Sequence, residues 1–159
     1  MQYRRTVPSL VGVGVGVTNI GSVKNQMTPM LDQIEERCGQ RPQEHLVDGG
    51  FVKLDAITQA AAAGTAVYAP PQAKKKGESP EYEPKPDDPP AVAEWRTRMG
   101  TAEAKEIYKE RAATAELVNA DLKEHRGLKL RVRGLDKVLA IALLHALTFN
   151  LLRWTALTS

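Results

Sequence analysis

The stretch Glu44-His45-Leu46-Val47-Asp48-Gly49-Gly50-Phe51 decides how this chain is read. Glu44 to Val47 predicts a short strand, and an aspartate followed directly by glycines predicts a sharp turn at its end. Leu54 to Ala63 then predicts a helix closed by Gly64, and Thr65 to Ala69 predicts a further strand. Working backwards, Pro29 to Arg37 predicts a short amphipathic helix with Met30, Leu31 and Ile34 on one face and Gly39 at its C-cap. Before it, Leu10 to Val17 alternates Val11, Val13, Val15 and Val17 with Gly12, Gly14 and Gly16, the period of a strand with one side-chain-free face. That spacing contains no G-x-G-x-x-G and no helix follows directly, which excludes a phosphate-cradling loop. Asn19 to Ser22 reads as a turn. Strand, helix, strand, helix, strand is the order of an α/β layer with at least partly parallel pairing.

The other half differs in composition. Residues 70–95 hold seven of the ten prolines together with Lys74-Lys75-Lys76, and predict an extended or disordered loop. Glu103 to Glu124 contains strong helix formers with no Pro or Gly and predicts one long helix. Arg126-Gly127 ends it, Leu128 to Val132 predicts a short strand or extended arm, and Leu135 to Trp154 predicts a final helix. Its apolar run, Val138 to Leu152, is shorter than the roughly 20 residues that span a bilayer and is expected to be buried, with no membrane partner.

The whole is 159 residues, 42% hydrophobic and 26% charged, the composition of a soluble globular chain of one domain. A single cysteine, Cys38, excludes an intramolecular disulfide framework and a cysteine-based zinc cluster, and predicts a reduced, cytoplasmic setting. No secretory signal is legible in Met1 to Leu10. His45, His125 and His145 lack metal-ligand spacing. The net charge of +3 divides into 0 for residues 1–69, −2 for 70–95 and +5 for 96–159. Lys123, Arg126, Lys129, Arg131, Arg133 and Lys137, against only Glu124 and Asp136, suit a polyanion such as nucleic acid or else form a solvated face.

On the long helix, at about 100° per residue, Tyr108, Arg111, Glu116, Asn119 and Lys123 project within an arc of roughly 140°. Ala115, Val118 and Leu122 make the apolar stripe beside them. A carboxylate and its cations on that face can meet a sheet-edge aspartate such as Asp48, or can be an ordinary salt-bridged helix surface.

The ordered set Val47-Asp48-Gly49-Gly50-Phe51, the Tyr-Ala-Pro strand end, the Pro-rich insertion, Tyr108-x-x-Arg111-x(4)-Glu116-x(6)-Lys123 and Arg133-Gly134-Leu135-x-Lys137-Val138 resembles the C-terminal half of bacterial insertion-sequence DDE transposases. The similar group carries a Tyr-Arg-Glu-Lys signature, and the resemblance runs from about Val11 to the end of the chain. It implies an RNase H-like core, here incomplete, with a mixed sheet, helices, the Pro-rich insertion and C-terminal helices. The parts are a strand and helix half at 11–69, the loop at 70–95, and a helical part at 96–159 carrying the glutamate. In that family three carboxylates hold two divalent metals for DNA cleavage and strand transfer. Asp48 matches the second aspartate and Glu116 the glutamate, which implies weak Mg²⁺ or Mn²⁺ binding by these two residues. Tyr108, Arg111 and Lys123 match signature residues that contact DNA, with Lys129, Arg131, Arg133 and Lys137 adding phosphate contacts.

The departure is the family's first aspartate, since no Asp or Glu precedes Asp32, itself inside a predicted helix. The expectation is an N-terminally truncated transposase, inactive alone, that binds DNA and pairs with full-length enzyme. Other readings are a non-catalytic DNA-binding or subunit-binding module that inhibits full-length transposase, and an unrelated α/β domain.

Overall fold

Apolar side chains three, four or seven residues apart give each helix between residues 19 and 115 one buried stripe, and these stripes meet around a small sheet. The computed structural model describes residues 11–19, 25–72, 81–120 and 132–158, with the helical backbone alone over 112–120. The chain forms two compact units, Asn19–Ala115 and Met1–Thr18 with Glu116–Ser159.

In the first unit, α1 (Met27–Cys38) is followed by β1 (Glu44–Leu46), a one-turn 3-10 helix (Gly49–Phe51), α2 (Leu54–Ala62), β2 (Ala66–Tyr68), α3 (Pro90–Gly100) and the start of α4 (Ala102–Ala120). β1 and β2 pair in parallel, with His45 opposite Val67. The pairing continues at both ends, because Ala66 N–H donates to Gln43 O at 2.8 Å and Val47 N–H to Tyr68 O at 3.0 Å. A parallel pair needs a crossover, and α2 supplies it. Met27 and Leu31 from α1, Ile57 and Ala60 from α2, Val67 and Ala69 from the second strand and its end, and Val92, Trp95 and Met99 from α3 are all buried together. The α/β class, the parallel pairing and the first four predicted helix and strand elements after residue 26 therefore stand, with ends shifted by a few residues.

Local chemistry fixes the ends of these elements. Gly39 adopts φ 73°, the left-handed cap in which its N–H closes on Glu35 O at 2.8 Å. Arg41 beyond it bonds the carboxylates of Asp32 and Glu35 on α1. Thr101 interrupts α3 and α4: its ψ of 152° leaves the helix and its hydroxyl accepts from Ala104 N–H at 3.1 Å, an N-cap that starts α4.

The Pro-rich segment departs from its expectation. Residues 90–95 are helical, because Pro89 and Pro90 occupy the start of α3, where a missing N–H costs nothing. The preceding turn is pinned by a buried ion pair in which Arg96 Nε donates to Asp88 Oδ2 at 2.6 Å, with both side chains under 9% exposed. The same oxygen accepts Lys85 N–H at 2.9 Å, and Arg96 Nη1 donates to Glu81 O at 3.1 Å. Residues 73–80 lie outside the described residues.

That Lys85 N–H, and after it the Arg96 guanidinium, hold the Asp88 carboxyl below its ordinary range. A depressed native value means stabilisation present above the unfolded pKa of about 4 and lost as pH falls through the native one. Urea midpoints followed into acid are expected to fall for the wild type below about pH 4 and to stay flatter for Asp88→Asn. Superimposable acid limbs would contradict this role.

In the second unit, α5 (Leu135–Thr158) is 24 residues long. Residues 11–19 form no strand, which corrects the reading of the Val-Gly alternation. Instead Gly12 is held by a side chain: its N–H donates to Asn150 Oδ1 and its carbonyl accepts from Asn150 Nδ2, each at 2.7 Å. Side-chain alternation describes the geometry of a strand without supplying a partner for its backbone, and a glycine-rich stretch loses most conformational entropy when it is ordered.

The nearly buried final helix is also corrected. Of α5, only Phe149 falls in the buried class, while Leu144, Leu147, Leu151 and Trp154 are exposed. It runs past the apolar stretch through Arg153 to Thr158, so by length and composition it is long and apolar enough to cross a membrane, contrary to the shorter span read from the sequence. Core helices of soluble proteins share that property. The predicted turn over 20–22 and the predicted helix end and arm over 121–131 lie outside the described residues.

Candidate DNA-processing site

The turn after β1 places Asp48. Val47 still hydrogen-bonds to β2, so the chain leaves the sheet at Asp48, whose side chain caps the 3-10 turn by accepting Gly50 N–H on Oδ1 at 2.9 Å. Gly49 is required by close approach: a Cβ there would stand 2.8 Å from Pro70 O. Gln72 Nε2 adds a bond to Gly49 O at 3.2 Å, so the turn is fastened to the chain leaving β2. The sharp turn read from two glycines after an aspartate thus holds a carboxylate at the strand end.

The second carboxylate oxygen meets α4. Arg111 Nη2 donates to Asp48 Oδ2 at 3.3 Å across 63 residues of sequence. Arg111 also lies over the Tyr108 ring, with its guanidinium carbon 5.7 Å from the centroid, a cation–π distance. Burial raises the Tyr108 phenol above its ordinary value, Arg111 pulls it down and Asp48 pushes it up. Tyr108 therefore presents a protonated hydroxyl at neutral pH. Asp48, Arg111 and Tyr108 form one cluster, at a strand end where solvent reaches more than half of the Asp48 side chain.

Other predicted site residues are placed less fully. Glu116 lies within α4, but its side chain, and with it the expected approach to Asp48, is outside the described residues. Lys123, Lys129 and Arg131 are likewise outside them. Arg133, just before α5, and Lys137, in its first turn, are exposed in the second unit.

Metal fit can be tested on the described part of the site. Among the described residues no three His, Cys, Asp or Glu side chains come together as a ligand group. Asp48 has one oxygen on a backbone N–H and the other on a guanidinium. In this arrangement the described residues do not fit a bound divalent metal, which needs several oxygen ligands.

Sequence reading missed two features beside Asp48. One is a cavity of about 330 Å³ lined by Gly49, Val52, Lys53, Pro70, Gln72 and Trp95 among others. The other is the Arg96–Asp88 pair that holds the adjoining loop. Both depend on residues brought together by tertiary folding, so neither has a local signal in the sequence. His45, on β1, is pushed below its ordinary value by burial and is a neutral packing residue at neutral pH.

Comparison with known families places the second half of this arrangement. The transposase DDE domain matches residues 71–155, just over half of the chain, and the chain belongs to that family. Tyr108, Arg111, Glu116, Lys123, Arg133 and Lys137 fall inside the match, whereas Asp48 lies before it. No curated protein and no solved structure matches the chain. DNA is the substrate that the family implies.

Proposed function

We propose that this chain is the DNA-handling part of an insertion-sequence type DDE transposase, built on an RNase H-like core, with Asp48 and Glu116 as its carboxylates. The observation that carries this reading is the Arg111–Asp48 contact. It joins a strand-end aspartate outside the family match to a residue of the Tyr-Arg-Glu-Lys pattern inside it. Arg111 offers a planar cation suited to a phosphate, and the Tyr108 ring beside it offers a face on which a base can stack. Lys123, Lys129, Arg131, Arg133 and Lys137 neutralise further backbone phosphates. A full-length transposase subunit is the proposed protein partner, and cytoplasmic DNA the proposed setting.

Supercoiled plasmid incubated with the purified chain tests this. The expected result is retarded migration at low salt that is relieved as salt rises. Absence of retardation overturns the DNA role. Mn²⁺-dependent nicking that disappears in Glu116→Gln supports Glu116 as a carboxylate of the site, and nicking that survives in Glu116→Gln overturns that role.

A further inference from the structure

Resting on the reading of this chain as a DNA-handling unit, we propose that the cavity beside Gly49 is a phosphate site: it takes one backbone phosphate of the DNA strand running past Asp48, with Arg96 Nη2 and the Lys53 ammonium as donors. The cavity, of about 330 Å³, lies within the Asn19–Ala115 unit, between the 3-10 turn, the start of α2 and the part of α3 that carries Trp95 and Arg96. Lys53 and Arg96 are the charged side chains of its lining, and no carboxylate joins them there. Val52, Leu54, Pro70 and Trp95 make much of the wall apolar, which lowers the local dielectric and strengthens the attraction between those cations and an anion.

Arg96 carries the argument. It is 6% exposed, yet it lines the cavity. Two of its nitrogens are committed to the protein, Nε to Asp88 Oδ2 at 2.6 Å and Nη1 to Glu81 O at 3.1 Å. Those bonds fix the guanidinium plane and leave Nη2 with no acceptor among the described residues. A buried cationic donor without an acceptor costs free energy, and a ligand oxygen removes that cost. Trp95 beside it also leaves its indole N–H buried without an acceptor, so the α3 wall has donors in excess.

The start of α2 favours the same kind of ligand. Leu54 opens that helix at the cavity, and the N-cap residue Lys53 makes no side-chain cap hydrogen bond. The first N–H groups of α2 therefore keep their partial positive charge. Asp55, the acid of the first turn, is not part of the lining. Lys53 is exposed and supplies an adjustable charge, whereas Arg96 supplies a fixed one. Because Gly49 belongs both to the lining and to the turn that Asp48 caps, a phosphate held here sets the strand relative to Asp48. Lys53 and Arg96 are positioning residues in this role.

The test has two arms. In the first, inorganic phosphate is titrated into the full-length chain at constant ionic strength and followed by proton–nitrogen correlation NMR. Saturating shifts are expected at the Gly49, Leu54 and Trp95 amides and at Arg96 Nε–H, with a dissociation constant of about 1–10 mM, the strength of a few charge-assisted contacts in water. Lys53→Gln is expected to weaken binding about fivefold. Arg96→Lys keeps a charge for Asp88 but loses the second terminal nitrogen, and is expected to abolish saturation; Lys53→Gln carries this arm if Arg96→Lys folds poorly by circular dichroism. Lys109→Gln removes a charge that pairs with Glu106 outside the cavity, and is expected to change nothing. In the second arm a DNA duplex is titrated over a salt series, and Lys53→Gln is expected to reduce the salt slope by about 0.9, one phosphate contact. Shifts that fail to saturate at the cavity, or equal weakening by Lys109→Gln, overturn the site, and the DNA reading survives if the wild type still binds duplex. Saturating shifts together with an unchanged duplex slope in Lys53→Gln overturn DNA as the source and leave a site for a free phosphate. Absence of duplex binding by the wild type overturns the DNA reading, and that source with it, whatever the first arm gives.

Discussion

Trp95→Ala is expected to destabilise the Asn19–Ala115 unit by about 3–5 kcal/mol, a large part of the stability of a small domain. Trp95 is 2% exposed and lies in the cluster that joins α1, α2, β2 and α3. Its indole N–H is buried without a hydrogen-bond partner, so truncation removes packing and leaves no broken hydrogen bond behind. Trp95→Phe keeps most of the ring volume and removes that N–H, and is expected to cost less than half as much. Urea unfolding followed by circular dichroism measures both, and equal losses for the two variants would show that packing is not what Trp95 contributes. Because Trp95 also lines the cavity beside Gly49, the Ala variant is expected to loosen the turn that holds Asp48.

The second large effect concerns salt. If Lys123, Arg126, Lys129, Arg131, Arg133 and Lys137 each neutralise one phosphate, duplex affinity falls about 10³-fold between about 50 and 200 mM salt. Replacing Lys129, Arg131 and Arg133 by Ala halves the number of contacts and is expected to reduce that loss to about 40-fold, with much weaker binding at low salt. Fluorescence anisotropy over a salt series measures it. An unchanged slope in the triple variant would make this stretch a solvated face.

What the sequence disclosed follows from the kind of information each pattern carries. Helices α1 and α2, and strands β1 and β2, were legible because Met30, Leu31 and Ile34 keep helical spacing on α1 and because Gly39 and Gly64 mark the helix ends. The αL conformation at those glycines, φ 73° and 80°, is the physical reason they punctuate. Period-2 alternation at Val11–Val17 misled because it encodes which way side chains point and says nothing about whether a neighbouring strand exists. α5 misled for a related reason, as apolarity on every side reads as burial whether or not something covers it. The start of α3 was hidden under proline content, although Pro89-Pro90 is itself a helix-start signal.

At the site, helical angles alone left Arg111 either on a solvated face or near a sheet-edge aspartate, and the fold brings it to Asp48. The turn chemistry of Asp48-Gly49-Gly50 was legible, but the demand on Gly49 was not, because it comes from Pro70 O on a distant strand end. Asp88 and Arg96 carried no signal because an acid and a base eight residues apart acquire meaning only after the intervening turn is folded.

The most direct test of a DNA site at the end of β1 is photocrosslinking of the chain to a duplex carrying 4-thiothymidine, followed by mass spectrometry of the crosslinked peptides. Crosslinks are expected in peptides containing Asp48–Phe51 and Tyr108–Arg111, and are expected to diminish in Arg111→Gln. Crosslinks confined to peptides outside these two segments, or undiminished in that variant, would contradict the assignment of this cluster to DNA.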